Sequence, residues 1–135
     1  MQDCVFCKII NREIPADIIY ENEQVLAFLD ISPTNPGHTL IIPKAHHETI
    51  LDCPLEIQTA MMKTLQLITP AILKAVNSDG FNINVNTKPV AGQVVPHYHL
   101  HIIPRHEGDG LELWHGKSYQ EGEAETLVEA IKNAL

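Results

Sequence analysis

His97-Tyr98-His99-Leu100-His101-Ile102-Ile103 is the stretch on which the reading of this chain turns, because histidine and apolar residues alternate through it. Alternate side chains of a strand share a face, so the pattern predicts a strand with its three histidines on one side and Tyr98, Leu100 and Ile102 on the other. Neighbouring histidines on that face start about 7 Å apart, from two steps of about 3.3 Å. The central ring can therefore meet a group that also touches either neighbour. Imidazole is a competent nucleophile toward phosphorus, and its near-neutral pKa lets neighbouring rings give or take protons. Two other readings fit the same residues: the polar face of a half-exposed strand, and metal chelation by histidines at i and i+2.

Outward from that strand, Ile18-Ile19-Tyr20 and Val25–Leu29 predict two strands around the polar turn 21–24. His38–Ile42 predicts a third strand, stopped by Pro43, and alternation over Phe81–Val85 predicts a fourth. Ser32–Gly37 (SPTNPG) is rich in turn residues and reads as a loop. Ile57, Met61, Leu65, Ile68, Ile72 and Val76 recur at helical spacing, with Pro54 at the start and Gly80 past the end. Pro70 lies inside this stretch and is expected to kink or split the helix. Asp3 is placed to cap a short helix over Cys4–Asn11, and Glu123–Leu135 reads as a closing amphipathic helix. The expected architecture is α+β: an antiparallel sheet of about five strands, two main helices and a short N-terminal one. With no internal repeat and no linker, residues 1–135 read as a single domain.

Nine basic residues against 17 acidic ones leave a formal charge of −8, so nucleic acid polymers are poor partners. A small phosphate ligand stays open, because backbone N–H groups and a few histidines can hold it locally. Residues 1–10 lack the pattern of a signal peptide, and no apolar run approaches the roughly 20 residues of a membrane span. A cytoplasmic location is the expectation. Cys4-x-x-Cys7 has the spacing of half a tetrahedral zinc site, whereas no strand precedes it as a thioredoxin-like motif would require. Cys53 is left over and reads as structural.

Four stretches together carry a family resemblance: CVFCKIINREIPA (4–16), LAFLDISPTNPGHTLIIPKAH (26–46), AGQVVPHYHLHIIPR (91–105) and, within the last, H-Y-H-L-H-I-I. The chain resembles the histidine triad (HIT) family, in particular the zinc-containing bacterial branch related to the histidine triad nucleotide-binding proteins. The resemblance implies a HIT-like fold, a homodimer and a nucleotidyl hydrolase or transferase. The implied reaction converts purine nucleoside phosphoramidates, or related nucleotidyl conjugates, to the monophosphate through a nucleotide carried covalently on His99. His101 would then contact the phosphate or leaving group, with His97 completing the triad. Asp30 corresponds to a ribose-hydroxyl acceptor, and Val5, Phe6, Ile9, Phe28 and Ile31 to the walls of a base slot. His38 matches a histidine beside the triad, and Asn86 and Gln93 match hydrogen-bonding partners of phosphate and leaving group. Val94 stands where many relatives carry serine, which removes a hydroxyl contact and keeps a backbone N–H. The likeness also implies a structural zinc ion on Cys4, Cys7, His46 and His97, with His47 adjoining His46. Residues 106–135, Trp114 among them, would shape leaving-group preference. The alternatives are a dinucleoside polyphosphate hydrolase, a nucleotide-binding regulatory protein with little turnover, and a purely structural zinc protein.

Overall fold

The computed structural model describes residues 3–135. Five strands, β1 (Ile18–Glu21), β2 (Val25–Leu29), β3 (Thr39–Pro43), β4 (Gly80–Asn84) and β5 (Leu100–Arg105), form one antiparallel sheet in the order β1-β2-β3-β5-β4. The helices are α1 (Val5–Ile10), α2 (Leu55–Val76) and α3 (Glu123–Ala134). This is the expected α+β arrangement.

Alternation sorts the sheet's two faces. Val25, Ala27, Ile41, Tyr98, Leu100 and Ile102 pack against Met61, Leu65, Ile68 and Ile72 of α2. Leu26, Phe28, Leu40 and Ile42 point the other way, onto Cys4, Phe6 and Ile9 of the N-terminal segment. Burying each such side chain is worth roughly 1.5–3 kcal/mol, so the sheet is held from both sides. Because Leu100 and Ile102 face α2, His99 and His101 emerge beside α1.

Three expectations need correction. The strand foreseen over 97–103 begins at Leu100 and continues through Pro104 to Arg105. Before Leu100 the backbone bonds elsewhere: His97 N–H to the Val95 carbonyl and Tyr98 N–H to that of His47. Pro104 is tolerated because β3 has already ended at Thr39, opposite Ile102. Second, α1 is capped by Cys4, whose Sγ accepts the Cys7 N–H at 3.4 Å, and not by Asp3. Third, α2 runs as one helix through Pro70, so of the expected kink or split the split is ruled out. Pro70 and Gln66, whose carbonyl loses its partner, both lie on the exposed side, where water replaces the missing bond. α2 ends on Asn77 in the left-handed conformation, and Gly80 lies past that end, as expected, where it starts β4.

α3 forms as foreseen, yet its apolar side is uncovered: Leu127, Val128 and Ile131 are all exposed. Among the described residues no helix is long and apolar enough to cross a membrane.

Candidate active site and metal centre

On the α1 side of the sheet lies a cavity of about 360 Å³. Val5, Phe6, Ile9, Phe28 and Ile31, which the resemblance named as walls of a base slot, line its apolar part, and Asp30, Asn86, His99 and His101 its polar end. Val94 is at the wall and 88% exposed, so it sits at the mouth. Ile14, Pro15, Ala16, Leu40, Gly92 and Val95 complete the lining; sequence reasoning did not single these out. Ile14-Pro15-Ala16 ends the quoted N-terminal stretch, so that motif could have flagged it.

Gln93 is placed differently from expectation. Its Oε1 accepts the Lys88 N–H at 2.8 Å, and its Nε2 donates to the carbonyls of Glu48 and Val95 at 2.6 and 3.1 Å. The amide is consumed in holding the loop, and the side chain does not line the cavity. Asn86 does line it, with one weak bond of 3.5 Å to the Gly92 carbonyl.

The histidines form an ordered row, with ring centroids of His99 and His101 4.9 Å apart. His99 Nδ1 donates to its neighbour's carbonyl, that of His97, at 2.7 Å. The proton is thus on Nδ1, and Nε2 keeps its lone pair. Phe6 meets the His99 ring edge-on, with centroids 5.1 Å apart. Burial pushes the His99 pKa below the ordinary range, against the opposing pull of the His97 carbonyl and Asp30. Burial, then the facing rings of His99 and His38, bring His101 down to about 4. Burial also lowers His38, opposed by Asp30. At neutral pH the row is a set of uncharged rings. His101 Nε2 is buried without a partner, a polar atom free for a ligand.

Asp30 follows β2, and its Oδ1 accepts the Ser32 N–H at 2.8 Å. Oδ2 lies 3.6 Å from His38 Nε2 and keeps acceptor capacity toward the cavity.

Behind the row, Cys4, Cys7, His46 and His97 bring one donor atom each within 4.8 Å of one another. His97 Nδ1 lies 3.4 Å from Cys4 Sγ and 3.6 Å from Cys7 Sγ, and His46 Nδ1 lies 3.3 Å from Cys7 Sγ. Tetrahedral zinc, with sulfur at about 2.3 Å and nitrogen at about 2.0–2.1 Å, has S···N edges of about 3.5 Å, so this donor set fits. His97 Nε2 donates to the Pro43 carbonyl at 2.8 Å, which fixes the ring and turns Nδ1 to the cysteines. Burial, then the Cys4 thiol, push the Cys7 thiol up to about 11, and burial brings His97 down to about 4. A neutral imidazole suits a metal, and a cation supplies the charge that ionises such a thiol. His47 is absent from the cluster and uses its carbonyl to accept the Tyr98 N–H.

A five-stranded antiparallel sheet that projects a row of alternating histidines over an apolar cavity defines a distinct class of α+β protein. This chain belongs to the HIT family: the HIT domain model matches residues 11–108. It is 44% identical over 133 residues to the adenosine 5'-monophosphoramidase of Saccharomyces cerevisiae, covering 98% of this chain and 80% of that one. The adenylylsulfatase of Arabidopsis thaliana is 44% identical over 139 residues, 98% of this chain and 70% of that one. Among solved structures, a zinc-bound histidine triad family protein from Mycobacterium smegmatis matches with a TM-score of 0.78 and 36% identity, over 99% of both chains.

Proposed function

We propose that this chain is a nucleotidyl hydrolase that releases the nucleoside monophosphate from purine nucleoside phosphoramidates or related conjugates through a nucleotide carried on His99. The observation behind the proposal is the 2.7 Å bond from His99 Nδ1 to the His97 carbonyl, which leaves a nucleophilic lone pair at the polar end of an apolar cavity. The yeast and plant relatives, one named for a nucleotide P–N bond and the other for an adenylyl sulfate, support the same reaction class.

In this reading the base lies between Phe6, Ile9, Phe28 and Ile31, while Asp30 accepts from the ribose hydroxyls. His99 Nε2 forms a bond to phosphorus as the bond to the leaving nitrogen breaks, and that nitrogen keeps the electron pair and takes a proton from solvent. Water then attacks phosphorus, the N–P pair returns to His99, and the water's surplus proton replaces the one consumed. Two easier displacements replace one hard one. His101 and the loop N–H groups near Val94 meet the phosphate charge, so Val94 contributes through its backbone. Cys4, Cys7, His46 and His97 would hold zinc, which in such a closed site supplies structure and takes no part in displacement.

The uncovered apolar side of α3, with Leu113 and Trp114 also exposed, supports a homodimer in which 106–135 shapes the substrate site. On this reading 1–135 is one domain, and its free thiols suit a reducing compartment such as the cytoplasm.

The test compares monophosphate release from adenosine phosphoramidate and diadenosine tetraphosphate, with His99→Ala as control. Release from the phosphoramidate that disappears in the variant is the expected result. Faster release from the dinucleotide would transfer the assignment to polyphosphate hydrolysis. Tight AMP binding without release from either would make the chain a nucleotide-binding protein.

A further inference from the structure

The row of histidines continues past the triad. His101 Nδ1 lies 2.8 Å from His38 Nε2, and His38 Nδ1 accepts the backbone N–H of Thr34 at 3.0 Å. A peptide N–H is always a donor, so His38 Nδ1 must be bare and a neutral His38 carries its proton on Nε2. That proton points at His101 Nδ1, which must accept it. A neutral His101 is then protonated on Nε2, the buried atom without a partner at the cavity. His99, fixed by a carbonyl, has the opposite tautomer. Two adjacent imidazoles thus face the cavity as one lone pair and one donor, each set by a backbone group.

The Thr34 amide is itself held from a distance. Asn35 Nδ2 donates to the Pro104 carbonyl at 2.9 Å and to Asp109 Oδ2 at 3.1 Å. Asp109 receives two bonds from Arg105, from Nε at 2.7 Å and from Nη2 at 2.9 Å, and further bonds from the N–H groups of His106 and Leu111. The Asn35 carbonyl accepts the His38 N–H at 3.0 Å, which closes the loop over the ring it orients.

We propose that the Asn35–Asp109–Arg105 clamp is a positioning device: it holds the Thr34 amide on His38, and through His38 fixes His101 as the Nε2–H donor that meets charge on the phosphate or leaving group. The inference deepens the proposed hydrolase and rests on that reading for the ligand. Without the clamp, loop 32–37 moves, Thr34 stops dictating the His38 tautomer, and His101 spends part of its time with a lone pair facing an anion. Such a loss acts on the transition state more than on ground-state binding, because the apolar walls and Asp30 are untouched.

The experiment is nitrogen-15 NMR of histidine-labelled, zinc-loaded full-length protein, with and without AMP, beside steady-state kinetics of Asn35→Ala and Asp109→Asn. Wild type should show Nε2–H on His38 and His101 and Nδ1–H on His99, and the His101 Nε2 signal should move on AMP binding. Both variants should show mixed tautomers at His101, with kcat lower by about ten-fold to a hundred-fold and KM little changed. Nδ1–H on His101 in the wild type, or a His101 signal indifferent to AMP, would overturn the proposal whether or not the variants fold. So would folded variants that lose activity with the His101 tautomer intact. These spectra need no turnover, so the relay and the hydrolase reading can fail independently.

Discussion

His97 serves two sites at once: its ring Nδ1 lies 3.4 Å from Cys4 Sγ, and its carbonyl accepts the His99 Nδ1–H at 2.7 Å. Side chain and main chain of one residue therefore join the Cys4, Cys7, His46 and His97 cluster to His99. His97→Gln keeps the carbonyl and removes the ligand nitrogen. Bound zinc should fall from about one ion per chain to a small fraction, with thermal stability lowered to that of chelator-treated wild type. Elemental analysis beside thermal melts checks this. A wild-type protein whose melting ignores both chelator and added zinc would refute the metal assignment.

Among the described residues, Asp30 is the one carboxylate in the cavity wall. Asp30→Asn retains shape and loses the charge that strengthens a bond to a ribose hydroxyl by about 1 kcal/mol or more. AMP should bind roughly ten-fold more weakly, and discrimination between AMP and dAMP should narrow. Calorimetric titration of both nucleotides measures it; an unaltered ratio would remove Asp30 from the ribose site.

Leu100 is fully buried between His99 and His101 in sequence, yet it faces α2. Leu100→Ala should cost about 2–5 kcal/mol of stability in urea unfolding. Because the opposite face keeps its histidines, AMP affinity of the folded fraction should change little. A loss below about 1 kcal/mol would mean that α2 does not pack on this face as described.

The alternation that put Leu100 and Ile102 on the α2 face and His101 on the other was legible because it depends only on strand geometry, whereas His97 lies in a bend before β5. Cys4-x-x-Cys7 was legible for a similar reason, as a local spacing that a tetrahedral ion can use. What escaped was non-local. Gln93 had the chemistry to contact phosphate, but the Lys88 N–H, the Val95 carbonyl and the Glu48 carbonyl from 45 residues away claim its amide. Asn35 lies 74 residues from Asp109, and although Arg105 stands only four residues before Asp109, the three read singly as polar residues until the fold brings them together. Pro70 did not split α2, because the cost of a helix proline depends on whether water can reach the freed carbonyl, which the sequence alone does not state.

Gly37 precedes His38 with a φ of +89°, and a Cβ there would lie 2.9 Å from Val76 Cγ1 and 3.2 Å from Pro104 Cγ. Gly37→Ala combines a left-handed backbone with that contact, so about 1–3 kcal/mol of stability should be lost. Loop 32–37 should also shift against α2. Chemical unfolding tests the first effect, and amide exchange at Thr34 and His38 tests the second; unchanged values in both would show that the turn has room to spare.

His101 sits at about 4 when folded, held down first by burial, against 6.5 for the free side chain. Between those values the unfolded chain binds a proton that the folded chain refuses, so stability falls as pH drops through the window and levels off below it. His38, lowered by burial in the same sense, adds to the fall. Each withheld proton can contribute up to about 1.4 kcal/mol per pH unit. Replacing His101 with Gln removes its share, so the variant should lose less stability than wild type between pH 7 and pH 5. Urea unfolding at the two pH values gives the comparison. Equal acid sensitivity in the two proteins would mean that His101 takes up its proton as readily in the fold as in the open chain, contrary to a buried, neutral ring.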